Sequence, residues 1–284
     1  MILVTGANGL VGSRVVARLT EAGERVISIT RAQIDLAHPE RLYAAIMELR
    51  PSGVIHCAAM TDVDGCEKDP AGAWAVNVDA VAAAARACSA AGARLTALST
   101  DYVFDGEKGD YAEEDAPHPR GAYARTKRAG EEAALLLARD RAVCRVAVVY
   151  SGYTSAKKTY AATAADCLAA GKPVKAFIDQ VVSPTLADNA AQMAIGVHRS
   201  GEQGIFHCAG ASQVSRLEFA RALARKLRAS EELVVPVRLA ELKLPAPRPL
   251  RCGLRVDKVR KLLGNSIPLP LEVALDRFLE ERRA

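Results

Sequence analysis

The sequence predicts an α/β protein organised around a doubly wound parallel sheet, with a smaller α/β region towards its C-terminal end. Three observations carry that prediction. Between Ile2 and Val149, short β-branched runs alternate with longer Ala/Leu/Arg segments, the pattern of βαβ units. A glycine-rich turn, Gly6-Ala7-Asn8-Gly9-Leu10-Val11-Gly12, joins the first such run to the first helical segment. At 284 residues and 50% apolar, the chain can bury a sizeable core, as one large domain or two modest ones.

Ile2 to Val4 is short and apolar, so it reads as a buried strand, and the glycines after it turn the chain into a helix over Leu10 to Ala22. Arg25 to Ile29 is the second strand, Glu40 to Leu49 the second helix and Gly53 to Cys57 the third strand. The alanine-rich span Ala71 to Ala91 is predicted as one long helix, with Trp74 near its start packed in the core. Leu95 to Leu98 and Val143 to Val149 are further strands, on either side of a helix over Ala122 to Arg139. Phe104 to Pro119 lacks apolar periodicity and is punctuated by Asp105-Gly106, Gly109-Asp110, Pro117 and Pro119; it reads as an unusually long loop, a frequent home of function.

Beyond Tyr150 the predicted helices are Lys157 to Ala170, Leu186 to His198 and Arg216 to Arg228. Strands are predicted at Val174 to Ile178 and Gly204 to Cys208, and a Pro-rich stretch runs from Leu244 to Leu250. Residues 1–150 therefore read as a dinucleotide-binding domain and 151–284 as a substrate-binding region, with 174–184 the segment expected to return to the first sheet.

Composition narrows the function classes. The 38 basic and 33 acidic residues are mixed along the chain, giving +5 without a concentrated arm for nucleic acid; a cleft for an anionic small molecule fits the charge equally well. Met1 to Val4 enters the glycine turn without a basic leader, and no apolar run approaches the roughly 18 residues of a membrane span, so a cytoplasmic protein with no membrane association is expected. The seven cysteines are scattered without a C-x-x-C pair and are expected to be reduced. No metal site is expected: the five histidines lack ligand spacing, and Glu113-Glu114-Asp115 reads as a solvated loop face.

The spacing Gly6-x-x-Gly9-x-x-Gly12 suits a dinucleotide. Glycine permits the tight strand-to-helix turn and a close backbone approach to a pyrophosphate, and the helix N-terminus favours its charge. A carboxylate after the second strand would suit the ribose of NAD; here Thr30-Arg31 stands instead and favours NADP(H), with Asp35 beside it either an adenine contact or the start of a turn.

The second motif is Tyr123-Ala124-Arg125-Thr126-Lys127. Four residues apart, the phenol and the ammonium share a helix face, where the charge is expected to lower the tyrosine pKa. Thr100, at the carboxyl end of a central strand, can converge with them beside a nicotinamide. In that arrangement Tyr123 donates a proton to a substrate oxygen, Thr100 hydrogen-bonds that oxygen and Lys127 holds the ribose.

These motifs do not stand alone. Thr5 to Gly12, His56 to Asp64, Ala75 to Val78, Ser99 to Gly106, Tyr123 to Lys127, Asp179 to Thr185 and Arg248 to Arg251 occur in the order seen in one family. Over nearly its whole length the chain resembles the extended short-chain dehydrogenase/reductase superfamily, and within it the dTDP-4-dehydrorhamnose reductase group. The resemblance implies NADPH-dependent reduction, with NADH the alternative, of the 4-keto group of a nucleotide-linked 6-deoxysugar. It implies Thr100, Tyr123 and Lys127 as the catalytic set. Gly6, Asn8, Gly9, Leu10, Val11, Thr30, Arg31, Asp35, Leu36, Ala58, Ala59, Met60 and Asn77, with Tyr123 and Lys127, are implied around the cofactor. Asp101, Tyr102, Phe104, Gln180 and Ser183 are implied to face the sugar nucleotide, and a homodimer is admitted without any residue that marks it.

Two departures bear on the substrate. The family's Asn-Ala-Ala-Ala is His56-Cys57-Ala58-Ala59 here, and its Arg-Thr-Ser-Trp-Val-Tyr-Gly is replaced by Arg145-Val146-Ala147-Val148-Val149-Tyr150-Ser151-Gly152. They touch the identity of the sugar more than the reaction. Two other readings share the motifs: a non-catalytic NADP-binding subunit resembling the methionine adenosyltransferase β-subunit, and an NAD-dependent sugar-nucleotide epimerase.

Overall fold

A computed structural model describes residues 1–153 and 158–283. Its centre is a six-stranded parallel sheet. The chain enters through β1 (Ile2–Thr5), α1 (Leu10–Glu21), β2 (Val26–Ile29), α2 (Pro39–Leu49) and β3 (Gly53–His56). Next come α3 (Val63–Lys68), α4 (Pro70–Trp74), a π-helical turn (Ala75–Asp79), α5 (Ala80–Ala91), β4 (Arg94–Thr100), α6 (Gly121–Leu137) and β5 (Arg141–Val146). The remainder comprises β6 (Val149–Tyr150), α7 (Tyr160–Ala169), β7 (Val174–Phe177), β8 (Val181–Val182), β9 (Thr185–Leu186) and α8 (Ala187–Ser200). It closes with β10 (Gly204–His207), β11 (Val214–Ser215), α9 (Arg216–Leu227), β12 (Val234–Val237), β13 (Arg251–Cys252), α10 (Asp257–Leu263) and α11 (Leu271–Glu281).

Alternation along each strand builds two cores. Ile2 and Val4 of β1 point to the face covered by α1 and α8, where Val15, Leu19, Ala190 and Ala194 pack. Leu3 points to the other face, against α2, α5 and α6 through Leu42, Ile46, Ala84 and Ala134. Both faces of the sheet are thus sealed, as an all-parallel sheet requires. A third core joins Tyr150, α7, β7, α9, β12 and α11 around Phe219 and Phe278.

The strand order β10-β5-β4-β3-β1-β2 reverses direction beside β1, between β1 and β3. That switch point, at the carboxyl ends of the strands, is where open α/β sheets leave a crevice for ligands.

Four details differ from the sequence expectations. The strand that returns to the sheet is β10, which pairs with β5, whereas 174–184 pairs elsewhere: β7 with β12 and β8 with β11 and β13. The span Ala71 to Ala91 is interrupted by the π-helical turn around Asn77, and α3 precedes it. Val143 to Val149 is split, because Val148 adopts φ 41, a left-handed conformation that a β-branched residue rarely takes and that ends the strand. Trp74 closes α4 47% exposed rather than in the core. The predicted helix start at Lys157 falls outside the described residues. All seven cysteines are free, and among the described residues no helix is long and apolar enough to cross a membrane.

Candidate active site

The switch-point crevice is built by glycine. Gly6 ends β1 with φ 65, and a Cβ there would lie 2.8 Å from the backbone N and Cα of Ala58 after β3. At Gly12 a Cβ would sit 2.1 Å from the Gly6 carbonyl oxygen. Only hydrogen fits at either place, so α1 begins hard against β1 with its first turn facing the crevice. Gly9 is its N-cap, with no side chain to cap the amides and no acidic residue in the first turn. A phosphate charge is therefore favoured here, and the cradle fits the pyrophosphate of a dinucleotide. Asn8 and Gly9 are exposed, Leu10 is half-buried, and Val11 begins the buried face of the helix.

At the end of β2, Thr30 is tied to Gln33, whose side-chain oxygen accepts from both the Thr30 amide at 2.8 Å and its hydroxyl at 2.9 Å. Arg31 is 88% exposed and only 4.0 Å from Asp35, a loose contact that leaves its guanidinium available. Asp35 accepts from the Ala37 amide at 3.2 Å, and Leu36 packs into the core beneath. Sequence reasoning did not identify Gln33, which fixes the turn carrying Arg31.

Ala58, Ala59 and Met60 line the turn after β3 and are half-buried. Asn77 supports that turn. It is 0% exposed and clamps Met60 twice, accepting from its amide at 2.9 Å and donating to its carbonyl at 3.1 Å. A second amide hydrogen reaches Thr126 on α6 at 3.1 Å. These bonds tie the turn after β3 to α6. The π-helical turn that holds Asn77 is a common mark of functional sites.

The Tyr-Lys pair stands on α6 across from the end of β4. Thr100 donates to Asp101 Oδ1 at 3.0 Å and accepts from the Tyr102 amide at 3.2 Å. Tyr102 packs edge-on against Tyr123, their ring centroids 5.7 Å apart. Lys127 Nζ donates to the Leu98 carbonyl at 2.8 Å. The expected lowering of the Tyr123 pKa is not what the site produces. Burial dominates and raises it; the Thr100 hydroxyl opposes that, while Asp101 and Tyr102 add to it. Burial also pushes Lys127 down to about 8 and Asp101 up to about 7; Asp101 Oδ2 is buried with no partner among the described residues.

The expected sugar-facing residues divide. Tyr102 reaches the site and Asp101 lies beneath Thr100, but Phe104 and Ser183 do not face it. Phe104 is stacked on Tyr111 in the core, 4.1 Å between centroids. Ser183 is fully buried, its hydroxyl accepting from the Leu254 amide at 3.0 Å. Gln180 also serves the scaffold, donating to the Pro249 carbonyl at 3.2 Å and accepting from Arg216 Nε at 3.2 Å. What it positions was missed in the sequence. Arg216, at the start of α9, and Arg248, on the Pro-rich strap, both act electrostatically on Tyr102 and place positive charge over this part of the cleft. Asp64 on α3 anchors the strap, accepting from Arg248 at 2.9 Å and from the Ala246 amide at 3.1 Å.

A glycine cradle, a loose arginine after β2 and a Thr-Tyr-Lys set at the end of β4 thus share one edge of the sheet. A family model described as RmlD substrate binding domain matches residues 1–283. The chain belongs to this family. Among the relatives of this RmlD-family chain, a dTDP-4-dehydrorhamnose reductase of Mycobacterium tuberculosis is 38% identical over 255 residues, covering 87% of this chain and 82% of that one. A Haloferax volcanii protein named as a probable low-salt glycan biosynthesis reductase, Agl14, is 37% identical over 278 residues, covering 93% of each. In structure, the dTDP-4-dehydrorhamnose reductase of Bacillus anthracis in complex with NADP superposes with a TM-score of 0.91 at 27% identity, covering 99% of this chain and 98% of that one.

Proposed function

We propose that this RmlD-family protein is an NADPH-dependent reductase of the 4-keto group of a nucleotide-linked 6-deoxysugar, of the kind that yields dTDP-L-rhamnose or a related sugar. The observation that carries the reading is the convergence of the glycine cradle with Thr100, Tyr123 and Lys127 on one edge of the sheet. NADPH, when bound, supplies the hydride. Gly6, Asn8 and Gly9 would hold its pyrophosphate, with Gly12 letting α1 start close against β1, and Arg31 and Thr30 would favour its extra phosphate.

Reduction of a ketone needs a proton at the oxygen as the hydride arrives at carbon. Tyr123 is suited to that role because burial keeps its phenol protonated at neutral pH. Thr100 orients the substrate oxygen towards Tyr123 Oη, and Lys127 holds the ribose side of the site. Arg216 and Arg248 supply cations for the substrate diphosphate. Residues 1–150, completed by α8 and β10, form the cofactor half, and the other later elements form the substrate half.

The test is NADPH oxidation by the purified protein with dTDP-4-keto-6-deoxyglucose and a 3,5-epimerase that delivers the L-lyxo epimer, beside an NADH control. Substrate-dependent oxidation, faster with NADPH, is expected. Tight NADPH binding with no oxidation of any 4-keto sugar nucleotide would turn the reading towards a non-catalytic NADP-binding subunit.

A further inference from the structure

Glu131 lies one helical turn beyond Lys127 on α6 and is 2% exposed. Arg145 on β5, fully buried, grips its carboxylate with two parallel hydrogen bonds: Nε to Oε1 and Nη2 to Oε2, both 2.8 Å. Arg128 adds a third donor at 3.1 Å. Arg145 is itself fixed, its guanidinium carbon 5.0 Å from the centre of the Phe104 ring and its Nη1 3.4 Å from His207 Nε2. Burial holds His207 neutral, with Nδ1 donating to the Arg255 carbonyl at 3.0 Å, so Nε2 is free to accept.

Such a pair is a poor source of stability. Removing both charges from water costs about as much as their attraction returns, and apolar replacements of buried pairs are often neutral or stabilising. What the pair faces gives it another role. Lys127 is nearly as buried, with one hydrogen bond to the Leu98 carbonyl. Leu98, Ser99, Lys127, Gly130 and Glu131 line a cavity of about 10 Å³, room for no more than one water, so little solvent screens the two charges from each other.

The other titratable groups facing Lys127, among the described residues, are Tyr123 on its own helix, His56 and Cys57 at the end of β3, and Cys66 on α3. Burial keeps each uncharged at neutral pH: His56 falls to about 3, Cys57 rises to about 12 and Cys66 to about 11, and the phenol rises. Glu131 is the anion in that set, held ionised by Arg145 despite its burial.

We propose that Glu131, locked by Arg145, is a positioning residue that keeps the buried Lys127 ammonium charged and seated in the site. The claim rests on the reductase reading for its kinetic consequence, but not for its physical one.

The test is an NMR titration of the whole protein labelled with carbon-13 at lysine Cε, with the Lys127 signal assigned by its loss in Lys127→Met. Glu131→Gln should lower the Lys127 midpoint by about one pH unit or more. The alkaline limb of kcat/KM should move down by the same amount. Because Glu131→Gln leaves Arg145 buried without its partner and can unfold, the double variant Glu131→Met with Arg145→Met is the companion; it should fold at least as stably and still lower the Lys127 midpoint. A folded variant of either kind with an unmoved midpoint overturns the proposal. If the wild-type protein turns over no sugar nucleotide, the reductase reading fails while the NMR result still decides the role of Glu131.

Discussion

At the scale of single residues, side chains with the same sequence signal end in different places. Tyr123, Lys127 and Thr100 were legible because helix spacing and strand ends fix direction without knowledge of the fold. Asn77, Phe104 and Ser183 were legible as motif members, but their full burial was not, since burial depends on what packs above a residue, which spacing does not encode. Arg216, Gln33 and Glu131 gave no signal: each matters through a partner distant in sequence or through a turn. Arg31 is the residue whose role is easiest to test. Its 4.0 Å contact with Asp35 is too loose to hold it, so a cofactor phosphate can take it. Arg31→Ala should weaken NADPH by about tenfold or more while barely changing NADH, a charge-assisted contact being lost for one cofactor alone. Equal losses by fluorescence titration would return Arg31 to the solvated surface.

At the scale of elements, the β1 to α1 turn was read correctly because its geometry admits so few residues. Gly6→Ala would drive a Cβ to 2.8 Å from the Ala58 backbone while requiring a positive φ, and neither strain can be relieved by rotating a side chain. We expect a loss of about 1–3 kcal/mol in denaturant unfolding together with weakened NADPH binding. An unchanged midpoint would mean that β1 and β3 separate easily. The interrupted helix at Asn77 and the strand end at Val148 escaped the sequence, because alanine and valine runs do not announce a π-turn or a left-handed residue. The Pro-rich strap is a further case. Its composition predicts an irregular segment, whereas its course is set by Asp64, which holds Arg248 and the Ala246 amide. Asp64→Ala should raise hydrogen exchange across 243–250 and leave the six-stranded sheet protected; unaltered exchange would show that other contacts hold the strap.

At the scale of the whole molecule, the alternation of strands and helices over the first half specified the sheet, and the alternating burial in β1 shows why both faces had to be covered. The return of β10 was not foreseen, since any short apolar run of the second half could have filled that edge. Packing between layers also sets the acid response. His56, His198 and His207 are buried and neutral, at about 3, 4 and 3, so the unfolded chain binds protons between their ordinary value of 6.5 and these lowered values while the folded one does not. Stability contributed by that difference is present above pH 6.5 and is lost as the pH falls through the window; Asp101, raised to about 7, works in the opposite sense. Replacing His56 by Asn removes one of the three, and the loss of unfolding free energy between neutral pH and about pH 4.5 should shrink by roughly 2 kcal/mol. A pH dependence identical to wild type would contradict neutral burial of that ring.

In the proposed reaction Tyr123, kept protonated by burial, delivers the proton while NADPH, when bound in the adjoining cleft, supplies the hydride. The most direct test is the single-turnover rate of NADPH oxidation on the 4-keto sugar nucleotide in wild type and Tyr123→Phe, with NADPH affinity measured alongside. A fall of roughly 10²-fold or more at nearly unchanged affinity is predicted. An undiminished rate in Tyr123→Phe would rule out Tyr123 as the proton donor.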